Sequence, residues 1–415
     1  MVLKVLIFKK KLQGVVDNSY IEFGKGIVNP DKGKHDCSEK EYDKHGPLRF
    51  VAAFSNTPIE FAYYLYTPPE EEIDINSLPS FEFSTDEGKN WNDYQATKKT
   101  DNYYVAYIYP KIIVKKGESV LFRGINETFR LSYQSSLGTT YANLRINPLA
   151  FVYVYGDITS LLNNVGGSIP VPEYCFSGMF DHARIITPPS LPSKQLAEYC
   201  YSGMFQGCSS LVEAPELPAE QLAEYCYSSM FQGCSSLVEA PELPAEQLAE
   251  YCYNFMFDQC SSLVETPELP ATQLAEGCYT QMFSMCTSLA EAPELLPATQ
   301  LAEGCYSRMF YQCTSLVEAP ELPATQLVSG CYSSMFSGCT SLNKVTALFT
   351  TKPIGYYDDE EGMYYFSYTN GWLYGVAQNG TFVKNASATW DDDEGMMSYN
   401  NGGDSIPVNW TVETK

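Results

Sequence analysis

A unit of about 26 residues is written over and over between Cys175 and Leu342. Its plainest copy runs Cys226-Tyr-Ser-Ser-Met-Phe-Gln-Gly-Cys-Ser-Ser-Leu-Val-Glu-Ala-Pro-Glu-Leu-Pro-Ala-Glu-Gln-Leu-Ala-Glu-Tyr, and Cys252 starts the next. The Met-Phe pair recurs at Met179, Met204, Met230, Met256, Met282, Met309 and Met335, in steps of 25, 26, 26, 26, 27 and 26 residues. A period in the twenties implies copies that bury their apolar residues against neighbouring copies, a stacked solenoid rather than a closed globule. Such a stack offers a long recognition surface and rarely a single catalytic pocket.

Within a copy, Cys226, Met230 and Cys234 fall at i, i+4 and i+8, with Tyr227 and Phe231 beside them. That spacing predicts a short helix, ending near Gly233. Ser236-Leu-Val-Glu-Ala reads as a short strand broken by Pro241 and Pro244, with Leu243 and Leu248 as further core anchors. The terminal copies are atypical, as caps should be. In the first copy Ala183, next to His182, stands where later copies carry their second cysteine, and Lys344 stands at a glutamate position.

Thirteen of the 14 cysteines fall in these copies, mostly spaced Cys-x7-Cys, and the chain has only 3 histidines. Zinc needs short paired spacings, usually with histidine partners. Buried thiol ladders are the plainer reading, with disulfides between columns as the alternative.

The array divides the rest of the chain. Residues 1–45 form a mixed leader or attachment arm. Residues 46–156 read as a small all-β sandwich, from aromatic and β-branched runs such as Phe81-Glu-Phe-Ser, Tyr103-Tyr-Val-Ala-Tyr-Ile-Tyr, Ile112-Ile-Val, Val120-Leu-Phe-Arg and Phe151-Val-Tyr-Val-Tyr. The repeats, with their lead-in, occupy 157–346. Residues 347–415 form a C-terminal capping module with Trp372, Trp390 and Trp410, a strand at Gly380-Thr-Phe-Val-Lys, and acidic runs at Asp358 and Asp391.

The repeat consensus, Cys-x-Ser-Leu-Val-Glu-Ala-Pro-Glu-Leu-Pro-Ala-x-Gln-Leu-Ala-Glu-x-Cys-Tyr-x-x-Met-Phe, resembles the BspA-like leucine-rich repeats of gut and oral bacterial surface proteins. The flanks resemble that family too. Phe81-Glu-Phe-Ser-Thr-Asp-Glu-Gly-Lys-Asn-Trp and Gly156-Asp-Ile-Thr-Ser-Leu-Leu-Asn match its leading β domain. Gly375-Val-Ala-Gln-Asn-Gly-Thr-Phe-Val-Lys matches its closing module. The resemblance implies an α+β architecture: a leucine-rich-repeat solenoid of about seven copies, behind a β-sandwich and ahead of a cap. It also implies a role in adhesion or ligand binding, with no catalytic residue carried over.

Charge narrows the partners. With 50 acidic and 26 basic residues the formal charge is −24, which disfavours nucleic acid and anionic membrane. No segment is long and apolar enough to span a bilayer. The opening Met-Val-Leu-Lys-Val-Leu-Ile-Phe-Lys-Lys-Lys is too short an apolar stretch for a secretory signal. An extracellular place on a bacterial surface or a phage virion fits these features, with residues 1–45 as the envelope or virion anchor.

The acidic residues form columns. Glu213, Glu239, Glu265, Glu291 and Glu318 make one; Glu216, Glu242, Glu268, Glu294 and Glu321 make a second. Glu224, Glu250, Glu276 and Glu303 make a third. Like charges stacked about 5 Å apart repel unless solvated or bridged. The plain account is a solvated face copied by duplication. The functional account makes the first two columns a ligand face, for a cationic partner or for calcium. Phosphate-cradling loops, nucleophile elbows and zinc-protease motifs are missing from the sequence. Glutamate pairs could serve a glycosidase, but each is duplicated in every copy, whereas a catalytic residue is normally singular. The sequence therefore reads as a non-enzyme, without a cofactor unless calcium, that binds a protein or glycan on a cell surface. A carbohydrate-active enzyme or a calcium-dependent glycan-binding module is the alternative.

Overall fold

The computed structural model describes residues 42–100, 105–350, 368–388 and 406–415, and the backbone of four short strands outside them. Those are β1 (Ile21–Phe23) with β2 (Gly26–Val28), and, near the C-terminus, β17 (Tyr357–Asp358) with β18 (Met363–Tyr364). The anchor expected in residues 1–45 and the acidic runs at Asp358 and Asp391 lie almost wholly outside the described residues.

Twelve further strands precede the repeats. They are β3 (Leu48–Ala52), β4 (Thr57–Leu65), β5 (Phe81–Ser84), β6 (Asn92–Tyr94), β7 (Thr97–Thr100) and β8 (Val105–Ile108), then β9 (Ile112–Val114), β10 (Ser119–Gly124), β11 (Arg130–Ser135), β12 (Gly138–Asn143), β13 (Arg145–Pro148) and β14 (Val152–Tyr155). One sheet runs β14-β3-β10-β5-β6 and a second runs β13-β4-β8-β7, with β9 beside the start of β4. The period-two alternation of these strands turns Leu48, Phe50, Val120 and Phe122 inward from the first sheet. Phe61 of β4 meets Phe122 of β10 with ring centroids 4.6 Å apart, so the two sheets share one aromatic core.

The first sheet runs on into the repeats. Strand β15 (Ile185–Thr187), in the first copy, pairs in parallel with β14. The Ile146 amide donates to the Met179 carbonyl at 2.8 Å. Phe129, buried between the sheets and the array, packs on Phe176 with centroids 5.6 Å apart.

The repeats do not form the α+β leucine-rich-repeat solenoid that the sequence suggested. Among the described residues, helix is confined to α1 (Ser160–Asn163) and one 3-10 turn (Ile75–Ser77), both outside the copies. Regular structure is otherwise β, in several small sheets. The expected helix at Cys226–Cys234 is a ribbon of overlapping turns, and the expected strand at Ser236–Ala240 is turn and coil.

The hydrogen bonds give the physical reason. Alternate amides bond backwards within the copy: Ser228 to Tyr225, Met230 to Tyr227 and Gln232 to Ser229, at 3.1, 3.2 and 3.1 Å. The amides between them cross to the next copy: Tyr227 to Cys252, Ser229 to Asn254 and Phe231 to Met256, at 3.1, 2.8 and 2.9 Å. An α-helix would keep every such donor inside its own copy. Sending half of them across leaves no buried donor orphaned and ties neighbouring copies together. The ribbon needs a left-handed residue at every fourth position, as at Tyr225, Ser229 and Gly233 with φ of 52°, 55° and 74°.

Identical residues therefore fall directly over one another. Tyr201, Tyr227, Tyr253, Tyr279, Tyr306 and Tyr332 stack with centroids 5.7 to 6.0 Å apart. A phenylalanine column runs alongside, from Phe180 to Phe336. All thirteen repeat cysteines are buried free thiols. Each thiol of the second column donates to a phenylalanine carbonyl of the preceding copy, as Cys234 does to Phe205 at 3.1 Å. Leu237 and Leu243 close the core on the proline side.

The array continues beyond the seven copies visible in the sequence. Tyr332, Ser334, Phe336 and Gly338 donate across to Tyr368, Asn370, Trp372 and Tyr374, at 2.9, 2.8, 2.9 and 2.7 Å. Residues 368–375 are thus an eighth ribbon, with Gly371 and Gly375 at its left-handed positions. Beyond it, β16 (Lys344–Ala347), β19 (Gly380–Lys384) and β20 (Trp410–Thr414) pair in parallel as further layers.

Candidate binding groove

The glutamate columns lie along the proline side of the stack. All the glutamates of the first two columns are exposed except Glu321, which is half-buried. Parallel bridges put the backbones of Glu265 and Glu291, and of Glu318 and Lys344, side by side. Glu239, Glu242, Glu265 and Glu268 come together around a cleft of about 330 Å³ floored by Leu243 and prolines. Each column ends on a lysine: Lys344 Nζ pairs with Glu318, and Lys415 Nζ lies 2.6 Å from Glu321. No group of three or more histidine, cysteine or acidic side chains among the described residues is placed to hold a metal ion.

The larger cavity lies elsewhere. A groove of about 790 Å³ runs along the ribbon face, from Gln232 in the third copy to Tyr374 in the eighth ribbon. Its lining comes from only three positions of the repeat. The first is occupied in successive copies by Gly203, Ser229, Phe255, Gln281, Arg308 and Ser334. The second holds Gln206, Gln232, Asp258, Ser284, Tyr311 and Ser337, and the third Gly207, Gly233, Gln259, Met285, Gln312 and Gly338. Around them the copies barely change: cysteine, Met-Phe, leucine and the Pro-Glu pair recur almost without exception. The constant columns are the conspicuous feature of the sequence. The signal for the groove is the opposite one, the three positions that vary.

Two of the three positions are left-handed. Phe255, Gln281 and Arg308 have φ of 54°, 55° and 53°, and Gln259, Met285 and Gln312 have φ of 62°, 57° and 58°. Glycine fits such a backbone better, and glycine stands there in other copies.

Across the groove floor runs a polar ladder. Gln206 donates to Gln232 at 2.7 Å, and Gln232 donates to Asp258 Oδ2 at 2.9 Å. Gln259 donates to the same oxygen at 2.9 Å. Asp258 is 3% exposed and its Oδ1 has no partner; Ser284, one copy on and 1% exposed, has an unpartnered Oγ. Unmade hydrogen bonds on buried polar atoms are costly, and these two belong to side chains that line the groove.

At the irregular N-terminal end, the ring of His182 lies against Gly207, and His182 Nδ1 sits 2.5 Å from Asp181. Asp181 also pairs with Arg145 of β13. This terminal copy is therefore tied to the sheets through Asp181, while the His182 ring itself stays exposed.

No protein-family model, curated protein or solved structure matches the chain. No helix among the described residues is long and apolar enough to cross a membrane.

Proposed function

We propose that the chain is a non-enzymatic recognition protein that holds a protein or glycan ligand along its repeat stack. It would act in adhesion or host attachment, outside the cell, on a bacterial surface or a phage virion. One observation carries this reading: near-identical copies differ mainly at three positions, and those positions line one continuous groove. Duplication supplies copies, and a stack needs only their constant residues. Diversity confined to a single face is what a recognition surface requires. The repeat's resemblance to adhesion proteins and the tilt of the charge away from nucleic acid support the same role. The glutamate face, with its small cleft, is the second surface on which a cationic ligand could sit.

The test is binding of the labelled, purified chain to intact gut bacteria and to epithelial cells. Saturable attachment at micromolar concentration or below is expected. A chain that attaches to neither would end the proposal.

A further inference from the structure

We infer that the ribbon groove is the ligand site and that its ligand is a neutral glycan. The inference rests on the recognition role proposed above and names the site and ligand class for it. Four features of the groove converge.

Its variation is concentrated at the positions that line it, while the cysteine, methionine, phenylalanine and leucine columns that build the core stay nearly constant. Its left-handed positions keep phenylalanine, glutamine, arginine and methionine where glycine would relax the backbone. Strain retained at a surface cavity points to side chains held for use. Its floor carries two buried oxygens without partners, Asp258 Oδ1 and Ser284 Oγ, on neighbouring copies. A ligand hydroxyl that turns either side chain towards it removes that deficit. Finally, the groove lining holds a single carboxylate and a single guanidinium, Asp258 and Arg308, between the rings of Phe255, Tyr311 and Tyr374. That balance gives no net attraction to a cationic or an anionic chain. Hydroxyl-binding oxygens beside aromatic faces suit a sugar, whose edges donate hydrogen bonds and whose faces stack on rings. About 790 Å³ is room for a short oligosaccharide.

The experiment is a screen of the full chain against an array of unsulfated, unsialylated oligosaccharides. The strongest binder is then titrated calorimetrically against wild type and the variants Asp258→Ala, Tyr311→Ala and Arg308→Ala. Saturable binding is expected, weakened roughly tenfold or more by Asp258→Ala and by Tyr311→Ala. Melting curves accompany each variant. If Asp258→Ala does not fold, Tyr311→Ala and Arg308→Ala decide the matter, because their side chains lie outside the buried ladder. Glycan binding that survives all the folded variants overturns the groove. Attachment to cells that the groove variants abolish, with no oligosaccharide bound, overturns the glycan and leaves the recognition role intact. Failure to bind both glycans and cells sinks the recognition role as well.

Discussion

Two kinds of residue in the stack carry a local cost, and each can be relieved by one substitution. The left-handed non-glycine residues are the first. Arg308 is exposed, with φ of 53°, so replacing it by glycine removes strain without removing packing. Left-handed backbone costs a residue with a Cβ about 1–2 kcal/mol, and glycine gives back about 0.5–1 kcal/mol in unfolded-state entropy. Arg308→Gly should therefore raise stability by about 0.5 kcal/mol, read from the urea midpoint. An unchanged or lowered midpoint would mean that the strain is not there. The second kind is the buried orphan hydroxyl. Tyr306 is 1% exposed and its hydroxyl has no partner, so Tyr306→Phe should be neutral or stabilise by up to about 1 kcal/mol. Tyr63 is the contrast. Its hydroxyl donates to the Phe129 carbonyl at 3.1 Å, and Tyr63→Phe should cost about 1 kcal/mol. Equal effects at the two sites would contradict this assignment of partners.

At the scale of one ribbon, the thiol columns make stability fall in alkali. Burial pushes the thiols of Cys226, Cys278, Cys331 and Cys339 up from 9.0 to about 12, and holds the others higher than usual too. Below about pH 9 folded and unfolded chains both keep these protons, and the stabilisation is intact. Above it the unfolded chain releases them while the folded chain does not, so unfolding is drawn forward as the pH rises. Each such thiol removes about 1.4 kcal/mol per pH unit between pH 9 and 12. The melting temperature should drop steeply from pH 9 upward, and at pH 8 the native thiols should ignore a disulfide reagent that labels the unfolded chain. A flat melting temperature to pH 11 would rule out the buried columns. The same ribbon shows what was legible in the sequence. The period, the buried Cys, Met and Phe positions and the strands at Phe81, Ile112, Val120 and Gly380 could all be read from residue spacing. The ribbon's conformation could not. Cys226, Met230 and Cys234 at i, i+4, i+8 suit a helix and also suit a turn ribbon with a left-handed residue at every fourth position, and only the crossing hydrogen bonds separate the two. The groove is hard to read from the sequence for a different reason. Its residues have no chemistry in common, and their meaning lies in differing while their neighbours do not.

Across the whole molecule the stack has two closed ends, and they are unlike. At the N-terminal end the sheets cover the first copy through Phe129 and the β14–β15 pairing. At the C-terminal end the eighth ribbon had lost every cysteine and the Met-Phe pair, which hid it from any search by repeat residues. Only Gly371 and Gly375, four apart like Gly203 and Gly207, betray its kinship. The copy's Met position is filled there by Trp372, fully buried. Its ring lies 6.2 Å from Tyr332, the last of the tyrosine column, 5.8 Å from Phe349 and 5.9 Å from Phe382 of β19. One side chain thus closes the tyrosine column and joins it to the terminal parallel sheet. In a stack whose copies touch only their neighbours, a lost end cap exposes the next layer and unfolding spreads from that end. Trp372→Ala should cost about 3–5 kcal/mol by cavity formation. The loss should be polarised, which amide hydrogen exchange can read. Protection should collapse first at Tyr332, Ser334 and Phe336, whose amides bond the eighth ribbon, and persist at Phe176 and Phe180 beside the sheets. Uniform loss of protection from both ends would mean that the molecule unfolds as one unit and that Trp372 is an ordinary core residue.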